Sequence, residues 1–118
     1  MKILVAEDEV GLADVIEKWL TKKGHAIEVS HDGEKALGLV KKNQYDIAIL
    51  DFSLPEKTGL EILDYLKQSK QKTKTIMITG YQFVNDTFVK ILGIDSYLSK
   101  PFKLEELDQV ITKFTPAN

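Results

Sequence analysis

Four places in the chain carry residues able to do chemistry together: the acidic run Glu7-Asp8-Glu9, Asp51 at the end of the apolar run Ile47-Ala48-Ile49-Leu50, Thr79-Gly80, and Lys100-Pro101. Two or three carboxylates held close together repel unless one is protonated or a cation neutralises them. A hard, oxygen-seeking ion suits such a cluster, since Mg²⁺ takes one or two carboxylates and otherwise keeps water or binds phosphate. Counting Glu7, Asp8 and Asp51 against Lys100, three negative charges and one positive leave −2, which a single divalent ion cancels. A phosphoryl group could then approach, and an Asp carboxylate can attack phosphorus to give an aspartyl phosphate. The charge in transit needs a metal, an ammonium and a hydroxyl donor around it. All of this depends on the fold bringing the four places to one spot.

The elements that must do so are legible as an alternation. Short β-rich apolar runs occupy Lys2–Ala6, Ala26–Ser30, Asp46–Leu50, Thr75–Ile78 and Ser96–Leu98. Between and after them, apolar residues recur at three- and four-residue spacing: Leu12, Val15, Ile16, Trp19 and Leu20; Ala36, Leu37 and Val40; Leu60, Leu63 and Leu66; Val84, Phe88, Ile91 and Leu92; and Leu104, Leu107, Val110, Ile111 and Phe114. Gly24 and Gly93 stand where helices one and four stop, positions that favour a left-handed residue. Asp32 can cap the second helix, and Thr58-Gly59-Leu60-Glu61 has capping-box spacing at the third. Lys103 opens the fifth helix without a side chain that can accept a hydrogen bond.

Strict β-α alternation with short connections predicts an α/β fold of flavodoxin-like (βα)5 type. It is a doubly wound five-stranded parallel sheet, strand order 2-1-3-4-5, with helices on both faces. Ligands bind such sheets beyond the carboxyl ends of the strands, and Glu7-Asp8-Glu9, Asp51, Thr79 and Lys100 all fall at strand ends. The Lys100-Pro101 bond is expected to be cis, since cis before proline costs only about 0.5–1 kcal/mol and would turn the Lys100 ammonium back toward Asp51.

Composition removes other classes. Apolar residues make up 43% of the 118, in the range of ordinary globular proteins, and the chain reads as a single domain over 1–118 with no output domain. There is no Cys, so disulfide scaffolds, thiolate metal sites and cysteine nucleophiles are excluded. No apolar run approaches the roughly 20 residues of a membrane span, and the N-terminus lacks a signal-peptide pattern, so a cytoplasmic location without membrane contact is the expectation. All 16 basic residues are Lys and the net charge is −2, which argues against direct nucleic-acid binding.

The same residues resemble the response-regulator receiver domains of two-component signalling. The likeness is carried by Ile3-Leu4-Val5-Ala6-Glu7-Asp8-Glu9, by Asp46-Ile47-Ala48-Ile49-Leu50-Asp51-Phe52-Ser53-Leu54-Pro55, by Ile76-Met77-Ile78-Thr79-Gly80, and by Gly93 through Phe102, four motifs in order along essentially the whole chain. The resemblance implies that Asp51 is the phosphoacceptor. Glu7 and Asp8 would be the acidic pair for Mg²⁺ (or Mn²⁺), with Asp51 and the backbone carbonyl of Ser53 completing the protein ligands. Thr79 would be the switch hydroxyl, Lys100 the phosphoryl-binding ammonium and Tyr97 the aromatic that follows activation. Glu7 stands where Asp is more usual, and its extra methylene favours a metal contact through water.

The function so implied is a phosphorylation-activated switch. Its partners would be a sensor histidine kinase and a downstream protein or fused output domain, with a homodimer possible through helix 4, strand 5 and helix 5. It would be no enzyme beyond its own phosphoryl transfer and autodephosphorylation.

Blander readings compete. Glu9 fits best as a charge favouring the positive end of the first helix. Trp19 belongs to a core stripe, and Tyr97 is open to being a packed aromatic. His25 and His31 are read as lying away from the strand ends and are candidates for nothing. A Mg²⁺-dependent phosphohydrolase would need a second acid two residues past the nucleophile, where Ser53 stands. A flavin carrier would meet phosphate-repelling acids in the first β-α turn. A receiver working without phosphorylation is disfavoured by the intact Asp8, Asp51, Thr79 and Lys100. The segment Phe83, Val84, Phe88, Val89, Ile91 and Leu92 is more apolar than one buried stripe needs, and fits either a docking surface or a deeply packed helix.

Overall fold

A computed structural model of the chain describes residues 1–56, 58–80 and 85–115. Strands β1 (Lys2–Ala6), β2 (Ala26–Ser30), β3 (Ile47–Asp51), β4 (Lys74–Thr79) and β5 (Ser96–Ser99) alternate with helices α1 (Val10–Lys22), α2 (Gly33–Lys42), α3 (Gly59–Gln68), α4 (Asp86–Leu92) and α5 (Leu104–Phe114). The strands form one parallel sheet in the order β2-β1-β3-β4-β5, the expected topology.

The sheet is covered on both faces, which is why β3 is buried along its whole length. On one face Leu4, Ala6, Ala48, Leu50 and Met77 pack with Ala36 and Val40 of α2 and with Ile62, Leu63 and Leu66 of α3. On the other, Ile3, Val5, Ile47, Ile49, Ile76 and Ile78 pack with Ile16 and Leu20 of α1 and with Leu107, Val110 and Ile111 of α5. Each fully buried Leu or Ile contributes about 1.5–3 kcal/mol. Those two slabs fix the strand ends that matter for function.

The helix ends follow local chemistry. Asp32 accepts from Lys35 N–H at 2.7 Å, and Glu61 reaches back to Thr58 N–H at 3.1 Å. Glu106 likewise accepts from Lys103 N–H at 3.0 Å, so α5 is closed at its start by the carboxylate of its first turn rather than by Lys103. Gly24 and Gly93 adopt φ of 93° and 72°, the left-handed conformation their positions require.

Three details differ from the sequence reading. β3, β4 and β5 each end one residue past the expected apolar run, at Asp51, Thr79 and Ser99, so Asp51 and Thr79 are themselves paired strand termini. Val15 of α1 lies off the buried stripe, 47% exposed. In α4 no residue is buried; Phe88, Val89 and Leu92 are half-buried and Ile91 is 78% exposed, while Phe83 and Val84 lie outside the described residues. The Lys100-Pro101 peptide is cis, as expected.

Candidate functional site

The carboxyl edge of β1, β3 and β5 brings together residues up to 93 positions apart in sequence. Glu7 follows β1 directly, and its N–H donates to Ser30 O at 2.9 Å, which ties it to β2. Asp51 ends β3, and Lys100 follows β5 with its N–H on Thr79 O at 2.7 Å. The Lys100 ammonium lies 2.7 Å from Glu7 Oε1, 3.0 Å from Asp51 Oδ2 and 3.6 Å from Glu9 Oε1. The second oxygen of each buried acid is held by backbone: Glu9 N–H donates to Glu7 Oε2 at 2.9 Å, and Ser53 N–H to Asp51 Oδ1 at 3.0 Å.

Burial separates the three acids of the first turn. Glu7 is fully buried and Asp51 5% exposed, whereas Asp8 and Glu9 face solvent. Burial pushes the Glu7 carboxyl up to about 7, against the opposing pull of Lys100 and of the Glu9 N–H, with Asp51 adding to the rise. Burial alone would lower Lys100, but the Glu7 and Asp51 carboxylates outweigh it and hold the ammonium well above its ordinary value. Lys100 therefore stays charged throughout the physiological range.

One carboxylate oxygen from each of Glu7, Asp8 and Asp51 lies within 4.8 Å of the others. One ammonium answers three carboxylates there, so the donor set fits a divalent oxygen-seeking cation, chemically and by charge. Thr79 is fully buried at the end of the neighbouring strand. Tyr97, one strand further out on β5, is half-buried and packs with Phe52, Val89 and Leu92 against the cluster formed by α2, α3 and the sheet. A groove of about 390 Å³, lined by Glu9, Leu12, Lys100, Pro101 and Phe102, opens beside the site. The larger groove, about 700 Å³, sits at the amino edge of the sheet around Tyr45, Lys72 and Lys74, away from these groups.

Comparison with known proteins decides the family. The response regulator receiver domain family matches residues 3–112. The chain belongs to that family. It is the receiver domain of a two-component response regulator, a regulatory domain type whose general function is switching by phosphorylation. Curated relatives of this receiver domain include the transcriptional regulatory protein DltR of Streptococcus agalactiae, 33% identical over 91% of the chain. Another is the response regulator ArlR of Staphylococcus saprophyticus, 39% identical over 90%. The chain spans about half the length of each, 48%. Among solved structures, the response regulator TrrA of Thermotoga maritima in complex with Mg²⁺-BeF superposes with a TM-score of 0.85 at 29% identity, covering 97% of this chain and 98% of that one. The chemotaxis response regulator CheY4 of Vibrio cholerae gives 0.87 at 26% identity, with the same coverage of both chains.

Two residues of the receiver's site edge escape the sequence reading. His31 is the first residue beyond β2, and its Nδ1 lies 3.1 Å from Glu7 O, so it borders the site instead of lying away from the strand ends. The strand-end rule applied to Ala26–Ser30 would have found it. His25 sits at the opposite edge, its Nδ1 3.1 Å from the Met1 amino nitrogen. Glu9, expected to be a helix-terminus charge, makes no capping hydrogen bond to α1 through its side chain and approaches Lys100 instead. Trp19 packs against the α1/α5 cluster, as expected of a core stripe. Among the described residues no helix is long and apolar enough to cross a membrane.

Proposed function

We propose that this receiver domain accepts a phosphoryl group on Asp51 from a sensor histidine kinase or a small phosphodonor. The observation that carries the reading is the Lys100 ammonium seated 3.0 Å from Asp51 Oδ2 beside two further carboxylates. Asp51 Oδ attacks phosphorus while the bond from phosphorus to the donor breaks, and the leaving group departs with that electron pair. Lys100, tethered at the mouth by carboxylates, can shift onto an incoming phosphoryl oxygen, and the Thr79 hydroxyl supplies a second donor from the adjacent strand.

Asp8, Asp51 and the Ser53 backbone carbonyl would hold Mg²⁺ or Mn²⁺ directly. Both oxygens of Glu7 are already engaged by Lys100 and the Glu9 N–H, which supports a contact through water for that longer side chain. The ion would supply charge neutralisation for the phosphoryl oxygens. A phosphohydrolase is the poorer reading, because Ser53 offers no carboxyl to protonate a leaving group.

The output runs through the face made by α4, β5 and α5. Thr79 precedes the connection to α4, so a hydroxyl drawn toward the phosphoryl group displaces that connection and frees space for Tyr97 to turn inward. The exposed Ile91 belongs to this face and would serve a partner, a fused output domain or a second copy of the chain. Residues 1–118 act as one receiver unit in the cytoplasm, with no direct nucleic-acid or membrane contact of their own. Intact mass after incubation with Mg²⁺ and acetyl phosphate tests the reading. One added phosphoryl group, lost in Asp51→Asn, is expected; equal modification of that variant would overturn it.

A further inference from the structure

Glu9 has a placement that helix stabilisation does not explain. It is the last residue before α1, yet its carboxylate accepts no hydrogen bond from the helix N-terminus. Oε1 lies instead 3.6 Å from Lys100 Nζ, on a side chain 65% exposed. The ammonium is therefore held from below by two buried carboxylates, Glu7 and Asp51, and from the solvent side by a third. Glu9 also lines the groove that exposes Lys100, together with Leu12, Pro101 and Phe102. It is the one acidic side chain among the residues lining that groove, so it is the negative charge that an anion entering the groove toward Lys100 meets.

From this geometry we infer that Glu9 is a specificity-determining positioning residue: it holds the Lys100 ammonium at the mouth and disfavours small phosphodonors in proportion to their negative charge. The inference rests on the assignment of Asp51 as phosphoacceptor. Like charges repel through the partly solvated mouth, so a donor carrying nearly two negative charges is penalised more than a donor carrying one. The donor's oxygens must also displace Glu9 from Lys100, which a carboxylate resists and an amide does not. A residue that only favoured the positive end of α1 would change helix stability and leave donor choice untouched.

Two donors separate these roles. Acetyl phosphate carries close to two negative charges at neutral pH; phosphoramidate, an internal salt, carries one net. In the first the bond from phosphorus to the acetate oxygen breaks and acetate leaves. In the second the phosphorus–nitrogen bond breaks and ammonia leaves with the protons its nitrogen already holds. Phosphorylation of Asp51 in Mg²⁺ is followed by intact mass for the parent, Glu9→Gln and Glu9→Asp, at low and at physiological salt. Glu9→Gln is expected to lower the apparent KM for acetyl phosphate roughly threefold to tenfold at low salt, with a smaller gain for phosphoramidate and weaker dependence on salt than the parent. Glu9→Asp, which keeps the charge, is expected to follow the parent. An equal change for both donors, or none, in a variant whose thermal unfolding matches the parent would overturn the inference alone. A parent modified by neither donor would overturn the phosphoacceptor assignment, and this inference with it.

Discussion

Lys100 Nζ sits closer to Glu7 Oε1, at 2.7 Å, than to Asp51 Oδ2, at 3.0 Å, and Glu7 is the more deeply buried of the two acids. The ammonium is thus the counter-ion of a buried carboxylate as well as the group proposed to meet phosphoryl oxygens. In the proposed mechanism, its movement toward a phosphoryl group would leave Glu7 short of a partner. Such an exchange of partners would give the site two discrete arrangements, which is what a switch needs.

Removing the ammonium exposes the first role. Lys100→Met should destabilise the protein by about 3 kcal/mol at pH 8, because the buried Glu7 loses the ammonium that holds its carboxyl down and must either stay charged without a partner or take up a proton against the pH. Adding Glu7→Gln should recover most of the loss. Urea denaturation of the parent, both single variants and the double variant measures the coupling; independent, additive losses would show that the pair does not act as a unit.

Glu7 also makes stability depend on pH. Its folded-state carboxyl is pushed up to about 7 from 4.5, chiefly by burial. Between those values the native protein keeps a proton that the unfolded chain has released. In metal-free buffer stability is therefore fully present below about pH 4.5 as far as this group is concerned, and it declines as pH rises toward 7. The decline is bounded by about 3 kcal/mol. Glu7→Gln should flatten the profile over that interval, and an unchanged slope in thermal or urea unfolding would assign it to other groups.

Much of this arrangement was legible because strand ends are readable: an apolar β-rich run stops where a charged residue begins. β1 and β2 fall where the pattern puts them, while β3, β4 and β5 end one residue further on because backbone pairing does not stop where side-chain polarity changes; Asp51 still pairs with Ile78, and Thr79 with Ser99. What periodicity could not convey was rotation. Val15 and Ile91 sit at helical spacing from core residues but on the outer flank of their stripes. Nor could spacing show which way the Glu9 carboxylate turns, since a helix-start acid has two attractive neighbours, the helix terminus and Lys100, and their competition is settled in three dimensions.

Gly59 is a positional requirement of the site. A Cβ there would collide with the backbone carbonyl of Asp51 and come within 3.3 Å of Met77 Sδ. Alanine is the better helix former by about 1 kcal/mol, so propensity alone predicts stabilisation. The contact with backbone at the end of β3 should prevail: Gly59→Ala is expected to cost about 1–3 kcal/mol and to slow Asp51 phosphorylation by displacing it. A variant more stable than the parent with unaltered phosphorylation would show that α3 can draw back without cost.

Asp8 is the exposed member of the acidic group, and it has no ion pair among the described residues comparable to that of Glu7 or Asp51. Its replacement by alanine should weaken Mg²⁺ binding at least tenfold with little loss of stability, since a direct carboxylate ligand is removed and no buried partner is orphaned. Calorimetric titration with Mg²⁺ checks this. Affinity equal to that of the parent would exclude Asp8 as a ligand.

The reach of the switch can be read in amide exchange. Phe52, the residue after Asp51, has its ring centroid 6.0 Å from that of Phe88 in α4, and Phe52, Val89, Leu92 and Tyr97 form a half-buried layer against the α2/α3 side of the sheet. Phe52 N–H also donates to Ile78 O at 2.8 Å, one residue before Thr79. A shift of the Asp51 loop therefore meets α4 by direct packing as well as through the connection after Thr79. With no fully buried residue, α4 packs through Val89 and Leu92 on that layer and through Phe88 on Phe52, and should move with them. Beryllofluoride with Mg²⁺ is expected to change exchange in residues 85–99 as well as around Asp51, while α1 and α2 stay at parent rates. Phe88→Ala should uncouple the two, leaving the response at Asp51 intact and shrinking it in α4. Changes confined to the Asp51 loop in the parent would sink the proposed output face.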